Sequence, residues 1–329
     1  MNNTNTPKKY NIPIFIPHEG CPHACIFCNQ KKITGVETSV TTSDIKKIIE
    51  EYLEFIPSGN RYIEIAFFGG SFTGLSLGVQ EEFLKTAAQY ADQTDGIRMS
   101  TRPDYINDEV LSLARKYGVT TIELGLQSAD DEVLRLNERE HRFADTVRAA
   151  KLIKEYDIAL GLQMMVGMYG STPEKDMYTA EKTAELLPDC VRIYPTLTLG
   201  GTKLENLYKS GKYTPYDMET AVCVTDKIMR IFEEKGIEII RVGLHSDESL
   251  TEDGNIIAGP YHPAFRELVL SKRWRDKIET EIMQKNLHDC DLEICVGRGE
   301  VSAAIGHKRC NTDYFKDRYN IGLKVKELL

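Results

Sequence analysis

Apolar and polar positions alternate along this chain in two regular patterns. Short runs rich in β-branched and aromatic residues predict strands, whereas longer stretches with apolar residues every three or four positions predict helices. The predicted strands are Ile12–Ile16, Tyr62–Phe68, Ile97–Thr101, Thr121–Gln127, Ala159–Val166, Val191–Thr196 and Ile237–Val242. The predicted helices between them are Ser43–Phe55, Gln80–Ala91, Asp108–Lys116, Asp130–Leu136, Phe143–Tyr156, Pro173–Leu187 and Tyr216–Lys235. This alternation predicts βαβ units and a parallel sheet.

Residues at the helix ends refine these boundaries. We expect Ser43 to cap the first helix, Pro173 to lie in a first helical turn, and Gly236 to follow the last of these helices. Six or seven strand–helix repeats form a partial or complete parallel barrel. The predicted fold class is therefore α/β, a partial (β/α)6-type barrel, whose chemistry lies at the C-terminal ends of the strands.

Several motifs follow the predicted strands at that end of the barrel. They are the cysteines Cys21, Cys25 and Cys28 after the first strand, Gly69-Gly70-Ser71 after the second, Arg102-Pro103-Asp104 after the third, Gln127-Ser128 at the end of the fourth, and Gly167 after the fifth. Scattered motifs would have no reason to align in this way. The pattern predicts one shared site on the rim of the barrel.

The C-terminal part of the chain has a different order of elements. It reads as a helix, a strand, two helices and a strand, over Ala264–Asn286, Asp291–Val296, Val301–Ile305, Asn311–Tyr319 and Ile321–Val325. We expect a barrel domain over residues 1–245, a linker over 246–263 and a small α/β domain over 264–329. The segment Leu199–Pro215 is rich in glycine and lysine, and we expect it to be a loop that covers the barrel mouth.

Composition narrows the class of protein. A hydrophobic content of 41% with 28% charged residues is typical of a globular enzyme, and no apolar run is long enough to span a bilayer. The polar segment Met1–Lys9 lacks the apolar core of an export signal, so we expect a cytoplasmic protein whose eight cysteines are thiols or metal ligands. The net charge of −9 argues against a uniformly nucleic-acid-coating surface but leaves room for a local basic site.

The cysteines Cys21, Cys25 and Cys28 have the spacing C-x3-C-x2-C, with Phe27 before the last of them. Three thiolates in eight residues cannot all pair as disulfides, but they can ligate three irons of a cubane cluster and leave the fourth iron open for a small molecule. The alternative is a zinc site completed by His18 or His23.

This motif after an apolar strand resembles that of the radical S-adenosylmethionine superfamily. The resemblance implies a [4Fe–4S] cluster whose open iron chelates S-adenosylmethionine, with reductive cleavage to a 5′-deoxyadenosyl radical and a reductant such as flavodoxin or ferredoxin. It also implies contacts with S-adenosylmethionine at the strand ends. The residues at the matching positions are Gly69, Gly70, Ser71, Ser100, Arg102, Gln127, Ser128, Arg139, Gln163 and Gly167.

Two branches of that superfamily are the most similar in motif order. Thr101–Asp104, Glu123–Ser128 and Arg192–Thr196 resemble the radical domain of the catalytic subunit of Elongator, a tRNA-modifying enzyme, and there is a more distant likeness to oxygen-independent coproporphyrinogen oxidase. The Elongator likeness implies tRNA as the substrate. Because the chain stops at Leu329, we expect no acetyltransferase domain, and acetyl-CoA-dependent carboxymethylation does not carry over. A small molecule such as a porphyrinogen is the alternative substrate.

The C-terminal βααβ order resembles the minimal core of a KH domain, which binds nucleic-acid backbone through a G-x-x-G loop. Here Gly306 matches, but Arg309 replaces the second glycine. From Ser271 to Leu329 there are 12 Lys and Arg residues against 10 Asp and Glu residues. The expected RNA-binding residues are Lys272, Arg273, Arg275, Gly306, Lys308 and Arg309. The alternative is a small α/β cap that only closes the barrel.

Five further cysteines lie outside the motif. We expect Cys190 and Cys223 to be small core residues, while Cys290, Cys295 and Cys310 could form a second metal site, although their spacing matches no known pattern. A third hypothesis for the whole chain is a non-catalytic iron–sulfur or zinc module that binds RNA.

Overall fold

Seven parallel strands form one sheet in the computed structural model, which describes residues 7–16, 21, 25–29, 40–244 and 255–328. In their order across the sheet, the strands are β1 (Lys8–Ile16), β2 (Arg61–Gly69), β3 (Gly96–Thr101), β4 (Val119–Gln127), β5 (Ala159–Val166), β6 (Cys190–Pro195) and β8 (Glu238–Val242). The predicted partial parallel barrel is thus confirmed, with seven strands.

Helices cover the outer face of this curved sheet. They are α1 (Thr42–Phe55), α2 (Leu77–Ala88), α3 (Asp108–Lys116), α4 (Asp131–Leu136), α5 (Phe143–Glu155), α6 (Pro173–Glu185), α7 (Lys203–Lys209) and α8 (Met218–Glu234). Along β2, Ile63, Ile65 and Phe67 are buried in the apolar core that the sheet shares with these helices. Burying one such side chain stabilises the fold by about 1.5–3 kcal/mol. The alternate position Glu64 ion-pairs with Arg98 of β3, so the inner face of the barrel is polar.

The two edge strands of the sheet approach each other at the N-terminal end of the barrel. Lys9 on β1 donates to Glu238 on β8, with 2.7 Å between Nζ and Oε2. No backbone pairing joins these two strands in the described part of the chain. The barrel is therefore bridged at its base by side chains and is not closed by a strand ladder.

The first helix begins earlier than expected. Thr41 is its N-cap, and the expected cap Ser43 lies inside the helix. The hydroxyl of Thr41 accepts from the backbone N–H of Asp44 at 3.2 Å, and the carboxylate of Asp44 accepts from the backbone N–H of Thr41 at 2.9 Å. Ser43 was the wrong choice because this reciprocal capping box satisfies two orphan donors at once.

The segment Leu199–Pro215 is not the simple loop that we expected. It contains α7, whose N-cap Thr202 accepts from the N–H of Glu205 at 3.2 Å. Just before it, β7 (Thr198–Leu199) pairs antiparallel with β9 (Ile256–Ala258), which lies in the predicted linker. Both elements follow strand ends, so this short ribbon lies at the mouth of the barrel.

The C-terminal part has the predicted order of elements. They are α9 (Phe265–Lys285), β10 (Asp291–Val296), α10 (Val301–Ile305), α11 (Cys310–Tyr319) and β11 (Gly322–Glu327), with β10 parallel to β11. The long helix α9 packs on both parts, since Phe265 and Val269 belong to the barrel core while Ile278 and Ile282 belong to a second apolar cluster.

In the described part of the chain, the helices are all too short or too polar to cross a membrane.

Candidate active site

The loop of the three cysteines lies beside the rim formed by the strand ends. At the neighbouring strand, the N–H of Gly70 donates to the carbonyl of Ile16 at 2.9 Å, which fixes the turn after β2 next to the end of β1. Gly69 has φ +95°, a conformation that favours glycine. The two predicted motifs Gly69-Gly70 and Cys21–Cys28 therefore start from adjacent points of the rim.

Arg139 connects the cysteine loop to β4. It is 8% exposed, and its Nη1 donates to Sγ of Cys25 at 3.5 Å while its Nη2 donates to the carbonyl of Gly125 at 2.5 Å. The loop itself is anchored by the N–H of Ile26, which donates to the carbonyl of Asn137 at 3.2 Å. Arg139 therefore places a buried positive charge directly at one of the three predicted cluster ligands.

Gln127 ends β4 in a strained backbone conformation. Its φ is +65°, and the pairing of β4 with β5 shifts register between Leu124 and Gln127. Such bulges re-aim side chains next to functional sites. A Cβ placed on Gly125 would lie 3.0 Å from Nε2 of Gln127 and 3.3 Å from Nη2 of Arg139, so the glycine leaves room for both side chains.

Arg102 provides a second buried guanidinium at the rim. Its Nε and Nη2 donate to the carboxylate of Asp104 at 3.0 and 2.9 Å, and the side chain is 3% exposed. Burial opposes its charge, but the pairing with Asp104 and the nearby thiols of Cys25 and Cys21 outweigh burial and raise its pKa. Arg102 therefore lies within electrostatic reach of two of the three predicted cluster ligands.

His141 is held neutral beside these cations. Burial and the charges of Arg139 and Arg102 lower the pKa of His141 to about 3. The residue is 2% exposed, and Nε2 lies 3.3 Å from the carbonyl of Leu126. This histidine was missed by the sequence analysis because nothing in its surrounding sequence distinguishes it.

Four buried polar atoms of this rim have no hydrogen-bond partner in the described part of the chain. They are Nη1 of Arg102, Oε1 of Gln127, Nε of Arg139 and Nδ1 of His141. An unsatisfied buried polar atom costs about 1–3 kcal/mol, so a cluster of them indicates a polar ligand. Three thiols with adjacent cations and unused donors and acceptors fit an iron–sulfur cluster with a polar small molecule.

The cysteine loop is fastened from above by α7. Ile26, Leu204 and Tyr213 form a buried apolar cluster, and the N–H of Leu204 donates to the carbonyl of Ile26 at 2.8 Å. Nearby, the side-chain amide of Asn29 donates to the carbonyl of Gly200 at 3.3 Å. The segment that we expected to cover the mouth therefore holds the cysteine loop in place.

Ser100 and Gln163 face the interior of the barrel below this rim. The Nε2 atom of Gln163 donates to Ser100 at 3.3 Å and to Glu123 at 3.0 Å. Glu123 is 1% exposed and also accepts from Arg98 and Arg192. Burial opposes its charge, but the two arginines outweigh burial and lower the pKa of Glu123.

Three predicted cofactor contacts are occupied by local structure. The hydroxyl of Ser71 bonds to Thr101 at 2.8 Å and accepts from the N–H of Arg102 at 3.1 Å. The hydroxyl of Ser128 accepts from the N–H of Asp130 at the start of α4. The N–H of Gly167 donates to the buried carboxylate of Asp176 at 2.9 Å. These residues shape the rim, and their roles in cofactor binding stay predictions.

The predicted RNA-binding residues fall into two groups. Lys308 and Arg309 are exposed, and both have positive φ in the turn between α10 and α11. In contrast, Arg273 ion-pairs with Asp226 and Glu233 and fastens α9 to α8. Arg275 packs over Tyr314, Lys272 pairs with Asp276, and Gly306 is buried in the turn. The turn thus provides two available cations.

All eight cysteines are thiols, and no three His, Cys, Asp or Glu side chains in the described residues are gathered around a position for one metal ion. The zinc alternative at Cys21, Cys25 and Cys28 stays a prediction. His18 and His23 lie outside the described residues. A metal site at Cys290, Cys295 and Cys310 also stays a prediction. Cys190 is buried as predicted, but beside Arg98 on the polar inner face.

The chain matches known families over most of its length. Residues 15–182 match the Radical SAM superfamily, and residues 188–275 match the Radical SAM C-terminal domain. The first match covers just over half of the chain.

Curated relatives and a solved structure point the same way. A tRNA uridine(34) acetyltransferase of Methanocaldococcus infernus is 31% identical over 244 residues, 61% of this chain and 46% of the relative. Elongator complex protein 3 of Schizosaccharomyces pombe is 30% identical over 179 residues, 54% of this chain and 32% of the relative. The chain therefore spans about half the length, or less, of the curated relatives it matches. The structure of M. infernus Elp3 with an N-terminal deletion has the same fold, with TM-score 0.63 and 22% identity over 86% of this chain and 64% of that one.

Proposed function

This chain belongs to the radical S-adenosylmethionine superfamily, and we propose that it cleaves S-adenosylmethionine reductively at a [4Fe–4S] cluster in order to modify tRNA. The observation that carries this proposal is the rim: Cys25 accepts from Arg139, and Gln127, Arg102 and His141 present unsatisfied atoms beside it. These residues fit the cluster and a polar cofactor together.

Cys21, Cys25 and Cys28 would hold the cluster and leave one iron for S-adenosylmethionine. When bound, the two cofactors supply a 5′-deoxyadenosyl radical, which is the superfamily's means of attacking unactivated bonds. The unsatisfied atoms of Arg102, Gln127 and Arg139 are suited to the polar groups of S-adenosylmethionine. The glycine turn Gly69-Gly70 offers backbone at the same rim.

The protein contributes charge and enclosure. Arg102 and Arg139 place two positive charges beside the thiolates, which stabilises the negative charge that a cluster and its ligands carry. The packing of Leu204 and Tyr213 on Ile26 covers the cysteine loop with apolar side chains. This cover packs directly beside Cys25, which is buried, and holds the loop at Ile26.

Two observations support tRNA as the substrate. The curated relatives include a tRNA uridine(34) acetyltransferase, although this chain spans about half of its length. In addition, Lys308 and Arg309 are exposed on a turn whose backbone resembles a KH loop in position. Cations on such a turn are suited to phosphate groups.

The decisive experiment measures 5′-deoxyadenosine under anaerobic conditions. The chain is reconstituted with iron and sulfide, reduced with dithionite and given S-adenosylmethionine with and without bulk tRNA. We expect product that increases with tRNA. The triple variant Cys21→Ala, Cys25→Ala, Cys28→Ala should bind no cluster and form no product.

Other outcomes separate the alternatives. Product without stimulation by tRNA would support the proposed cleavage of S-adenosylmethionine and indicate a small-molecule substrate. A protein with a full cluster and no product would support a non-catalytic binding module. Product from the triple cysteine variant would contradict the proposal that these three cysteines ligate the cluster.

A further inference from the structure

The interior of the barrel contains a network of buried charges below the rim. Arg98 donates from Nε and Nη2 to Glu64, at 2.8 and 2.7 Å, and from Nη1 to Glu123 at 2.8 Å. Arg192 donates from Nε and Nη2 to Glu123, at 2.5 and 3.0 Å. The two carboxylates of this network are thus each bound by arginine, and both are almost fully buried.

Both carboxylates have little remaining capacity for another cation. Glu123 accepts a further bond from Gln163, and Glu64 accepts from the hydroxyls of Thr120 and Thr121 at 3.0 and 3.1 Å. A carboxylate offers about four acceptor positions, so the network is closed on its acidic side. An additional arginine in the interior therefore pairs with neither of these carboxylates.

Arg241 is such an additional arginine. The pairing of β6 with β8 shifts register so that Val191 pairs with Ile239, whereas Arg192 pairs with Arg241. The extra residue is a bulge in β8, and it turns Arg241 to the inner face next to Arg192. Without the bulge, Arg241 would share the outer face with Ile239, which packs against the core.

The guanidinium of Arg241 lacks an acidic partner in the described part of the chain. Its Nε donates to the carbonyl of Gly243 at 2.9 Å. Burial and the charge of Arg192 lower its pKa, whereas Tyr194 has the opposite effect. Among the described residues of the interior, three guanidinium groups stand against two carboxylates, an excess of one positive charge in a protein whose net charge is −9.

The position of this charge suits a substrate. Arg192 lies three residues before the end of β6, so it is about 10 Å below the rim at about 3.3 Å per residue. Its guanidinium carbon is 5.2 Å from the ring centre of Phe68 on the opposite side of the barrel. Tyr194 and its pairing partner Met165 continue this surface toward the rim.

From this geometry we infer that Arg241, together with Arg192, binds an oxyanion group of a small substrate inside the barrel, directly below the S-adenosylmethionine site. The inference rests on the proposed function for the identity of that upper site. A guanidinium binds carboxylate or phosphate through paired N–H groups, and Phe68 and Met165 provide apolar contact for the rest of the molecule. The substrate class is therefore a small carboxylate or phosphate ester, bound as a partner to any tRNA substrate.

The test measures anion binding directly. The full-length chain with its cluster, without S-adenosylmethionine, is titrated with acetate, malonate, inorganic phosphate and diphosphate at constant ionic strength. Thermal unfolding and calorimetry report binding. We expect one of the two chemical classes to bind saturably, and the class that binds identifies the group as a carboxylate or a phosphate.

Variants locate the site. Arg241→Gln should lower the affinity for the anion at least tenfold, and Arg241→Lys should lower it less. Arg266→Gln is the matched control, because Arg266 is exposed and donates to the carbonyl of Ile239 on the same strand. Without anion, Arg241→Gln should unfold at the same temperature as the wild type or higher, since it removes a charge that faces Arg192.

Two results would overturn the inference. One is the absence of saturable binding for all four anions. The other is an Arg241→Gln protein that binds the anion as tightly as the wild type. The same holds for a variant that unfolds at a lower temperature without anion, as expected if Arg241 formed a structural ion pair. Neither result depends on cleavage of S-adenosylmethionine, so failure of this inference and failure of the proposed function are distinguishable.

Discussion

At the scale of single residues, the rim is organised by charge. Arg139 and Arg102 are buried beside Cys25, and His141 stays neutral between them. Buried cations are costly unless they are paired, and Asp104 pairs with Arg102. The remaining positive charge is therefore directed at the cysteine loop.

Replacing Arg139 should change the electron affinity of the cluster. Arg139→Gln removes a positive charge that hydrogen-bonds to Cys25, so we expect the cluster to be harder to reduce. The expected decrease in midpoint potential is on the order of 100 mV at an effective dielectric constant of about 20. A redox titration followed by electron paramagnetic resonance measures it. Arg148→Gln, at an exposed arginine of α5, should leave the potential unchanged.

Asp176 should make stability depend on pH. It is 2% exposed, and burial raises its pKa from 3.8 to about 6. The folded chain thus binds the proton more tightly, so the stability from this group is fully present below pH 3.8 and is lost as the pH rises through about 6. Two pKa units correspond to about 3 kcal/mol.

Denaturant unfolding of Asp176→Asn and of the wild type, at about pH 4.5 and about pH 8, tests this expectation. The stability of the variant relative to the wild type should increase toward the higher pH. The exposed Asp92→Asn variant should show no such trend. A difference that is the same at both pH values would contradict the raised pKa of Asp176.

At the scale of elements, the strands and helices that are long and periodic could be predicted from the sequence. The strands of the barrel follow from alternation, because one face packs in the core and the other faces a polar interior. The helix α7 and the ribbon of β7 and β9 were missed because they are too short for periodicity to be visible. The inward orientation of Arg241 could not be predicted either, since it depends on a bulge that breaks the alternation.

In the candidate site, too, some features could be predicted from the sequence and others could not. The cysteines and the glycine turn were found from local spacing, and the structure brings their neighbourhood to one rim. In contrast, the bonds from Arg139 to Cys25 and from Leu204 to Ile26 join residues far apart in the chain, and no local pattern encodes such pairings. Ser128 followed a strand like the other motif residues, yet its hydroxyl serves the turn into α4.

Loosening α7 should release the cluster. Leu204 is fully buried against Ile26, and Leu204→Ala should cost about 2–5 kcal/mol locally, so we expect faster loss of iron to a chelator. The decay of the visible absorbance of the reconstituted protein measures this rate. Leu187→Ala, at a leucine that is 64% exposed, is the control and should retain the wild-type rate. Equal rates for Leu204→Ala and the wild type would show that α7 does not hold the loop.

At the scale of the whole molecule, charge is unevenly distributed. The chain carries −9 overall, but the segment from Ser271 to its end has a small positive excess. The exposed pair Lys308 and Arg309 lies in this part. A polyanion is therefore repelled by most of the surface and attracted to this end, which favours one orientation of binding.

Removing these cations should weaken tRNA binding and its dependence on salt. Each of Lys308→Ala and Arg309→Ala should reduce the slope of log affinity against log salt by about one and lower affinity at low salt. A filter-binding or gel-shift series over several salt concentrations measures both. Lys47→Ala, at an exposed lysine of α1, changes the net charge equally and should have little effect. An unchanged slope of log affinity against log salt in both turn variants would show that RNA binds at another surface.

The contact between Ile26 and α7 also has a consequence for synthesis on the ribosome. The cysteine loop leaves the ribosome directly after β1, and the later strands of the sheet can then pair in the order in which they emerge. Leu204 and Tyr213, which fasten that loop, emerge only after most of the sheet. Until then the loop has its contacts with Asn137 and Arg139 at most and lacks its apolar cover, so the thiols are more accessible to oxidation and to the wrong metals. We therefore expect the cluster to be inserted after residue 213 has left the ribosome, so that the metal site matures late in the synthesis of the chain.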